Sequence, residues 1–165
     1  MRHIVTYGED VLKQSAAVIP DINQVIKNLA DEMLDAMYRG RGIGLAGPQI
    51  GESKRIFVCH IDGDEARVFI NPSIVQTGLK EVNIEEGCLS VPGVYADVKR
   101  PANVRVQAWN EKGKPFTLDA DGLLGRVILH EIDHLNGTLF IDHLTEKKRE
   151  RLLKHYQKRA MKQEY

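Results

Sequence analysis

Apolar residues recur at helical spacing over 21–39, where Ile22, Val25, Ile26, Leu29, Met33 and Met37 share one side of a helical repeat. Asp21 follows Pro20 and is placed to cap that helix, with Gln24 at the capping-box position. Gly40, Gly42, Gly44 and Gly47 then break it. Next the pattern changes period. Residues 55–61 form a continuous apolar run, expected as a buried strand, and 66–71 form another. Val104, Val106 and Ala108 alternate with Arg105 and Gln107, which predicts a strand with one wet face. A turn at 111–114 leads into 115–118 and closes a hairpin. Helical spacing returns over 121–135 through Leu124, Val127, Ile128, Ile132 and Leu135, with Asn136-Gly137 as the stop. A last helix is predicted over 145–163, with only Leu152, Leu153, Tyr156 and Ala160 as its apolar stripe. Strands gathered between flanking helices predict an α+β fold rather than alternating βαβ units.

The 165 residues suit a single domain, 1–165, able to bury a real core. With 23 basic and 23 acidic residues the formal net charge is zero, so the body is not a general polyanion binder and no DNA partner is expected. The charge is uneven, however: residues 145–165 carry eight Lys and Arg against three Glu, a basic tail on an acidic remainder. No stretch is long and apolar enough to predict a membrane span, and the first ten residues lack a signal-peptide run. Without an export signal, Cys59 and Cys88 are expected to bind metal or lie buried rather than pair, and the cytoplasm is the expected location.

The strongest chemical signal is His130-Glu131-Ile132-Asp133-His134 inside the second predicted helix. Histidines four apart lie on one side of a helix and can reach one metal ion, with Glu131 beside them as a general base. A catalytic site of this kind needs a third protein ligand. In the extended metzincin pattern it would be a histidine where Phe140 stands; in a gluzincin it would be a downstream glutamate, of which there are Glu146, Glu150 and Glu164. Those glutamates sit in the charged terminal helix, so the ligand is sought upstream. Cys88, in Glu86-Gly87-Cys88-Leu89-Ser90 ahead of Pro92, is the best candidate, whereas Cys59 lies in an apolar run and reads as core. His3, His143 and His155 have no partner motif. Gly42-Ile43-Gly44-Leu45-Ala46-Gly47-Pro48-Gln49 is either a flexible turn or a loop whose backbone closely approaches a ligand, with Gln49 aimed inward.

Taken together, in this order and spacing, the three segments resemble the peptide deformylases over nearly the whole chain. Leu45, Gln49, Gly87, Cys88, Leu89, Ser90, His130, Glu131, Asp133, His134 and Gly137 all match the family pattern. The Val91–Ala96 stretch and the terminal helix look like the bacterial type with a helical C-terminus. Three positions depart from the pattern. Gly47 replaces the usual alanine and is expected to loosen its loop; Leu129 replaces a glutamine; Lys99 replaces a proline.

The resemblance implies antiparallel β-sheets packed around a central helix bearing the two histidines, with a C-terminal α-helix. It implies removal of the formyl group from the N-terminal formylmethionine of newly made proteins, releasing formate. Cys88, His130 and His134 would hold one divalent metal, Glu131 would act as the base, and the Gln49 side chain and Leu89 N–H would face the developing oxyanion. Ile43, Ile84 and Val127 would line the methionine pocket, and the Gly44 backbone would align the peptide. The family implies Fe²⁺ in the cell with Ni²⁺ or Co²⁺ as substitutes, although thiolate and imidazole donors also suit Zn²⁺. Arg100 is expected to pair with Glu86 or Asp133. From its charge alone the basic tail is either a solvated terminal helix packing Leu152, Leu153 and Tyr156 on the body or a helix that docks on ribosomal phosphate. Two alternatives stay open: a gluzincin-type peptidase, and a binding module built on structural zinc.

Overall fold

A computed structural model describes residues 1–163. The first helix, α1 (Gln24–Arg39), begins later than its periodicity suggested. Asn23, not Asp21, is its cap: the Asn23 carboxamide oxygen accepts the Ile26 N–H at 3.2 Å. Seven strands follow: β1 (Gly44–Ala46), β2 (Ile56–Cys59), β3 (Arg67–Thr77), β4 (Glu81–Cys88), β5 (Val91–Pro101), β6 (Asn103–Trp109) and β7 (Pro115–Asp121). Helix α2 (Gly122–Leu135) and helix α3 (Glu146–Gln163) complete the order. All strand pairing is antiparallel. One sheet runs β1-β2-β3-β6-β7 and a separate hairpin pairs β4 with β5.

β2 is buried on both faces because a helix covers each one. Phe57 and Cys59 pack with Ile128, Ile132 and Leu135 of α2, while Ile56 and Val58 pack with Leu29, Met33 and Met37 of α1. That is why the centre of 55–61, Ile56–Cys59, is apolar at every position. β6 alternates buried and exposed residues along its length, as its sequence predicted. Its apolar face joins the α2 cluster, so the helix bearing both central histidines is fixed to the sheet along most of its length.

Two departures concern strands. β3 does not end at Asn71 but continues to Thr77. Asn71 takes a positive φ of 50° at a register shift, and its carboxamide bonds both the N–H and the carbonyl of Ile19. The expected strand end is instead a bulge held by a distant segment. The stretch around Cys88, for which the sequence pattern named no element, forms the β4–β5 hairpin with Leu89 and Ser90 at its turn. Its apolar residues Val91, Val94 and Val98 pack with Phe140 and Ile141 and with the inner side of α3, through Leu152, Leu153 and Tyr156. Among the described residues no helix is long and apolar enough to cross a membrane.

Candidate metal centre

The His130 and His134 imidazoles project from one side of α2 toward the end of β4. His134 Nε2 lies 3.3 Å from His130 Nε2 and 3.3 Å from Cys88 Sγ, and all three donors fall within 4.8 Å of one another. An ion about 2.0–2.1 Å from each imidazole and about 2.3 Å from a thiolate would separate tetrahedral neighbours by about 3.3–3.6 Å. The donor set therefore fits a divalent metal ion, with a fourth direction left to a non-protein ligand. Glu146 and Glu150 are exposed on α3 and outside this cluster; Glu164 lies outside the described residues.

Behind the donors is a buried ionic network. His130 Nδ1 is 2.8 Å from Glu86 Oε1. Glu86 also accepts from Arg100, Nε at 2.7 Å and Nη2 at 3.0 Å, and from Arg126 Nη1 at 2.8 Å. Arg100 Nη1 reaches Asp133 at 2.7 Å, so it pairs with both carboxylates named as candidates. Burial alone would raise the Glu86 pKa, but the bonds from His130 and Arg100 outweigh it and hold the carboxyl well below the usual range. Burial favours neutral His130, yet its bonds to Cys88 and Glu86 push its pKa up to about 10 in the metal-free chain. His134 goes the other way: burial, then the charge of His130, lowers it well below its ordinary value. A metal must therefore displace a proton from His130 on binding.

Glu131 is buried and Oε2 has no hydrogen-bond partner among the described residues. Burial pushes its pKa up to about 7. Gln49 is also buried. Its Oε1 is held by the Ala46 N–H at 2.9 Å, which turns Nε2 toward Ser90 Oγ at 3.1 Å and Cys88 Sγ at 3.5 Å. Leu89, at the hairpin turn, lines the same cavity, whose volume is about 420 Å³.

Ile43, Gly44 and Val127 line that cavity as well. Ile84 does not. It lies four residues up β4 from Cys88, about 13 Å at about 3.3 Å per residue, and is half-exposed. Gly44 has no room for a side chain, since a Cβ there would sit 2.9 Å from Val127 Cγ1 and 3.0 Å from Glu131 Oε1. Gly47 tightens its segment rather than loosening it. A Cβ at Gly47 would meet the Glu52 and Lys54 carbonyls at 2.7 and 2.8 Å, so the backbones pack closer than an alanine permits. Leu129 packs in the α2 core cluster.

Some contributors had no signal in the sequence. Arg126 is buried on α2 and lines the cavity; its only mark was an arginine four residues before His130. His143, read as partnerless, has Nε2 2.7 Å from Asp133 Oδ2. Leu123 and Tyr95 are exposed at the cavity rim.

A family model described as polypeptide deformylase matches residues 1–150. A peptide deformylase of Clostridium botulinum is 49% identical over 147 residues, covering 89% of this chain and 99% of that protein. A peptide deformylase of Brucella suis is 40% identical over 164 residues, covering 97% and 94%. The crystal structure of a peptide deformylase from Legionella pneumophila superposes with a TM-score of 0.94 at 41% identity, covering 99% of this chain and 97% of that one. A Synechococcus elongatus peptide deformylase solved in complex with actinonin gives 0.90 at 40% identity, covering 94% and 85%. The matched region contains the glycine-rich strand, the Cys88 hairpin and the histidine helix alike, and the chain belongs to the polypeptide deformylase family.

Proposed function

We propose that this enzyme, a peptide deformylase, removes the formyl group from N-terminal formylmethionine through the cavity beside Cys88, His130 and His134. The observation that carries this reading is the convergence of those three donors next to a buried carboxylate, Glu131, whose Oε2 has no hydrogen-bond partner among the described residues. Among the described residues only three protein ligands converge, which favours a catalytic over a structural ion. When bound, the ion supplies Lewis acidity and makes water a nucleophile near neutral pH.

The chain's own residues do the rest. Glu131, kept basic by burial, takes a proton from the attacking water and returns it to the leaving amine. The Gln49 amide, locked by Ala46 and aimed at the site, and the Leu89 N–H stabilise the oxyanion that develops on the formyl group. One such preorganised donor is worth about 2.7–4 kcal/mol in a well-studied hydrolase. β1 is an edge strand of its sheet, and the peptide backbone adds to it at Gly44. Val127 and Ile43 contact the methionine side chain. The products are formate and a peptide with a free N-terminal methionine.

Ferrous iron is the expected ion in the cell, with zinc, nickel or cobalt able to occupy the same donors. The expected setting is the cytoplasm, at nascent chains, with the basic face of α3 held to ribosomal phosphate.

The test is formate release from formyl-Met-Ala-Ser by anaerobically purified protein with its metal content measured. Cys88→Ala and His134→Ala should each lose metal and activity together. A Cys88→Ala protein with wild-type metal content would remove Cys88 from the ligand set. With iron bound, activity should decay in air and be protected by nickel replacement; full activity with zinc, indifferent to oxygen, would sink the iron assignment.

A further inference from the structure

The three donors come from two parts of the fold that share no strand pairing. Cys88 ends β4 in the two-stranded hairpin, whereas His130 and His134 lie on α2 against the five-stranded sheet. A donor set divided this way needs something to hold the hairpin to the helix before an ion arrives.

Arg126 is one helical turn before His130, on the same side of α2. Its buried guanidinium donates through Nη1 to Glu86 Oε2 at 2.8 Å and to the Val98 carbonyl at 2.7 Å, and through Nη2 to the Val82 carbonyl at 2.7 Å. Val82 is on β4 and Val98 on β5. One side chain of the helix thus grips both strands of the hairpin, and also the carboxylate that meets His130 at 2.8 Å. Arg100 serves Glu86 too, but it belongs to the hairpin and reaches α2 only through Asp133.

We propose that Arg126 is the positioning residue that registers the Cys88 hairpin on the histidine helix, so that the metal site is built in the metal-free protein. The guanidinium is a planar fork with fixed donor directions, and three short bonds, two to β4 and one to β5, restrain both sliding and tilting of the hairpin. A lysine carries the same charge from a single point and cannot meet three acceptors in one plane. The bond to Glu86 adds a second effect: it fixes the carboxylate that orients the His130 ring.

The inference rests on reading Cys88, His130 and His134 as the metal ligands, and the experiment separates the two. Metal-free wild type, Cys88→Ala, Arg126→Met and Arg126→Lys are titrated with Co²⁺ against a chromophoric chelator, and the thiolate-to-cobalt absorption band is recorded. Arg126→Met should bind Co²⁺ roughly 10–100-fold more weakly than wild type, with a weakened thiolate band. Arg126→Lys should fall in the same direction despite its charge, and it carries the test if the methionine variant does not fold. A merely structural arginine would lower the melting temperature yet leave the affinity and thiolate band of the folded protein unchanged. That result in either folded variant overturns the proposal. If wild type binds no Co²⁺, or Cys88→Ala binds it as wild type does, the ligand assignment fails and the role of Arg126 falls with it.

Discussion

Glu86 Oε1 lies 2.8 Å from Nδ1 of His130, whereas Nδ1 of His134 has no partner among the described residues. The two imidazoles are thus unequal before any ion is bound. One is backed by an anion and fixed in orientation; the other meets only Cys88 and His130, through Nε2, and has no polar partner behind it among the described residues.

Glu86→Gln should weaken metal binding by roughly 10–100-fold, because the ring it orients loses its charged partner. The same change should alter acid stability. The Glu86 pKa is lowered by folding, so its contribution is fully present above the ordinary carboxylate range, about 4.3, and is lost as pH falls below it. Thermal melts of the metal-free proteins check this. The variant should melt lower than wild type at neutral pH and lose less on acidification. Parallel curves from pH 7 downward would contradict it.

Glu131→Gln should keep the metal and lose turnover by about 10²–10⁴-fold, since an amide cannot take the water proton. In wild type the acid limb of kcat should fall at or below pH 7, where the buried carboxyl protonates; a bound cation moves it only downward. The stability effect has the opposite sign to that of Glu86. A carboxyl whose pKa is raised by folding destabilises the protein once ionised, so the penalty is absent at low pH and complete above about 7. Metal-free Glu131→Gln should therefore melt several degrees above wild type at pH 8 and near it at pH 4. Equal melting at pH 8 would show that the buried carboxylate costs the fold nothing.

Gly44→Ala should lower kcat while preserving metal content. The added methyl falls at 2.9–3.0 Å from Val127 and Glu131, so one or both must move, at an overpacking cost of about 1–3 kcal/mol. Val127→Ala in the same chain should restore stability more than kcat, because the contact with Glu131 remains. Wild-type turnover of Gly44→Ala would mean the close approach is dispensable.

The docking role of α3 needs a variant gentler than truncation. Its inner side packs Leu152, Leu153 and Tyr156 on the hairpin cluster, and Arg159 donates to the Gly93 carbonyl at 2.9 Å, beside the cavity. Removing the helix would therefore disturb the site and the basic face together. Reversing the exposed Lys147, Lys148, Lys154 and Lys158 to glutamate separates them. Ribosome binding in sedimentation should be lost, and its salt dependence with it, while turnover of a short formyl peptide is kept. Retained ribosome binding would end the docking idea.

Sequence alone determined whatever depends on neighbours a few residues apart. The three helices, the alternation of β6 and the placing of two imidazoles on one side of α2 all follow from local periodicity, which a chain carries within itself. Cys88 was legible as the candidate third ligand by elimination of the downstream choices and then by resemblance, because it stands 42 positions before His130 and no local rule joins them. Tertiary structure decided the remainder. Asn23 caps α1 where Asp21 also could, and the helix starts two residues later for it. The β4–β5 hairpin, with few buried residues on its strands, left too faint an alternation to read, yet it delivers Cys88. Ile84 was placed in the cavity by matching and lies beyond it because the strand's length carries it away. Gly47 looked permissive and is tightly packed, as the carbonyls of 52 and 54 lie where a methyl would stand and would have to shift to admit one. Arg126 is the clearest case. In the sequence it is one charge in an apolar helix, and only packing supplies the three acceptors, from segments 28 to 44 residues away, that account for burying it.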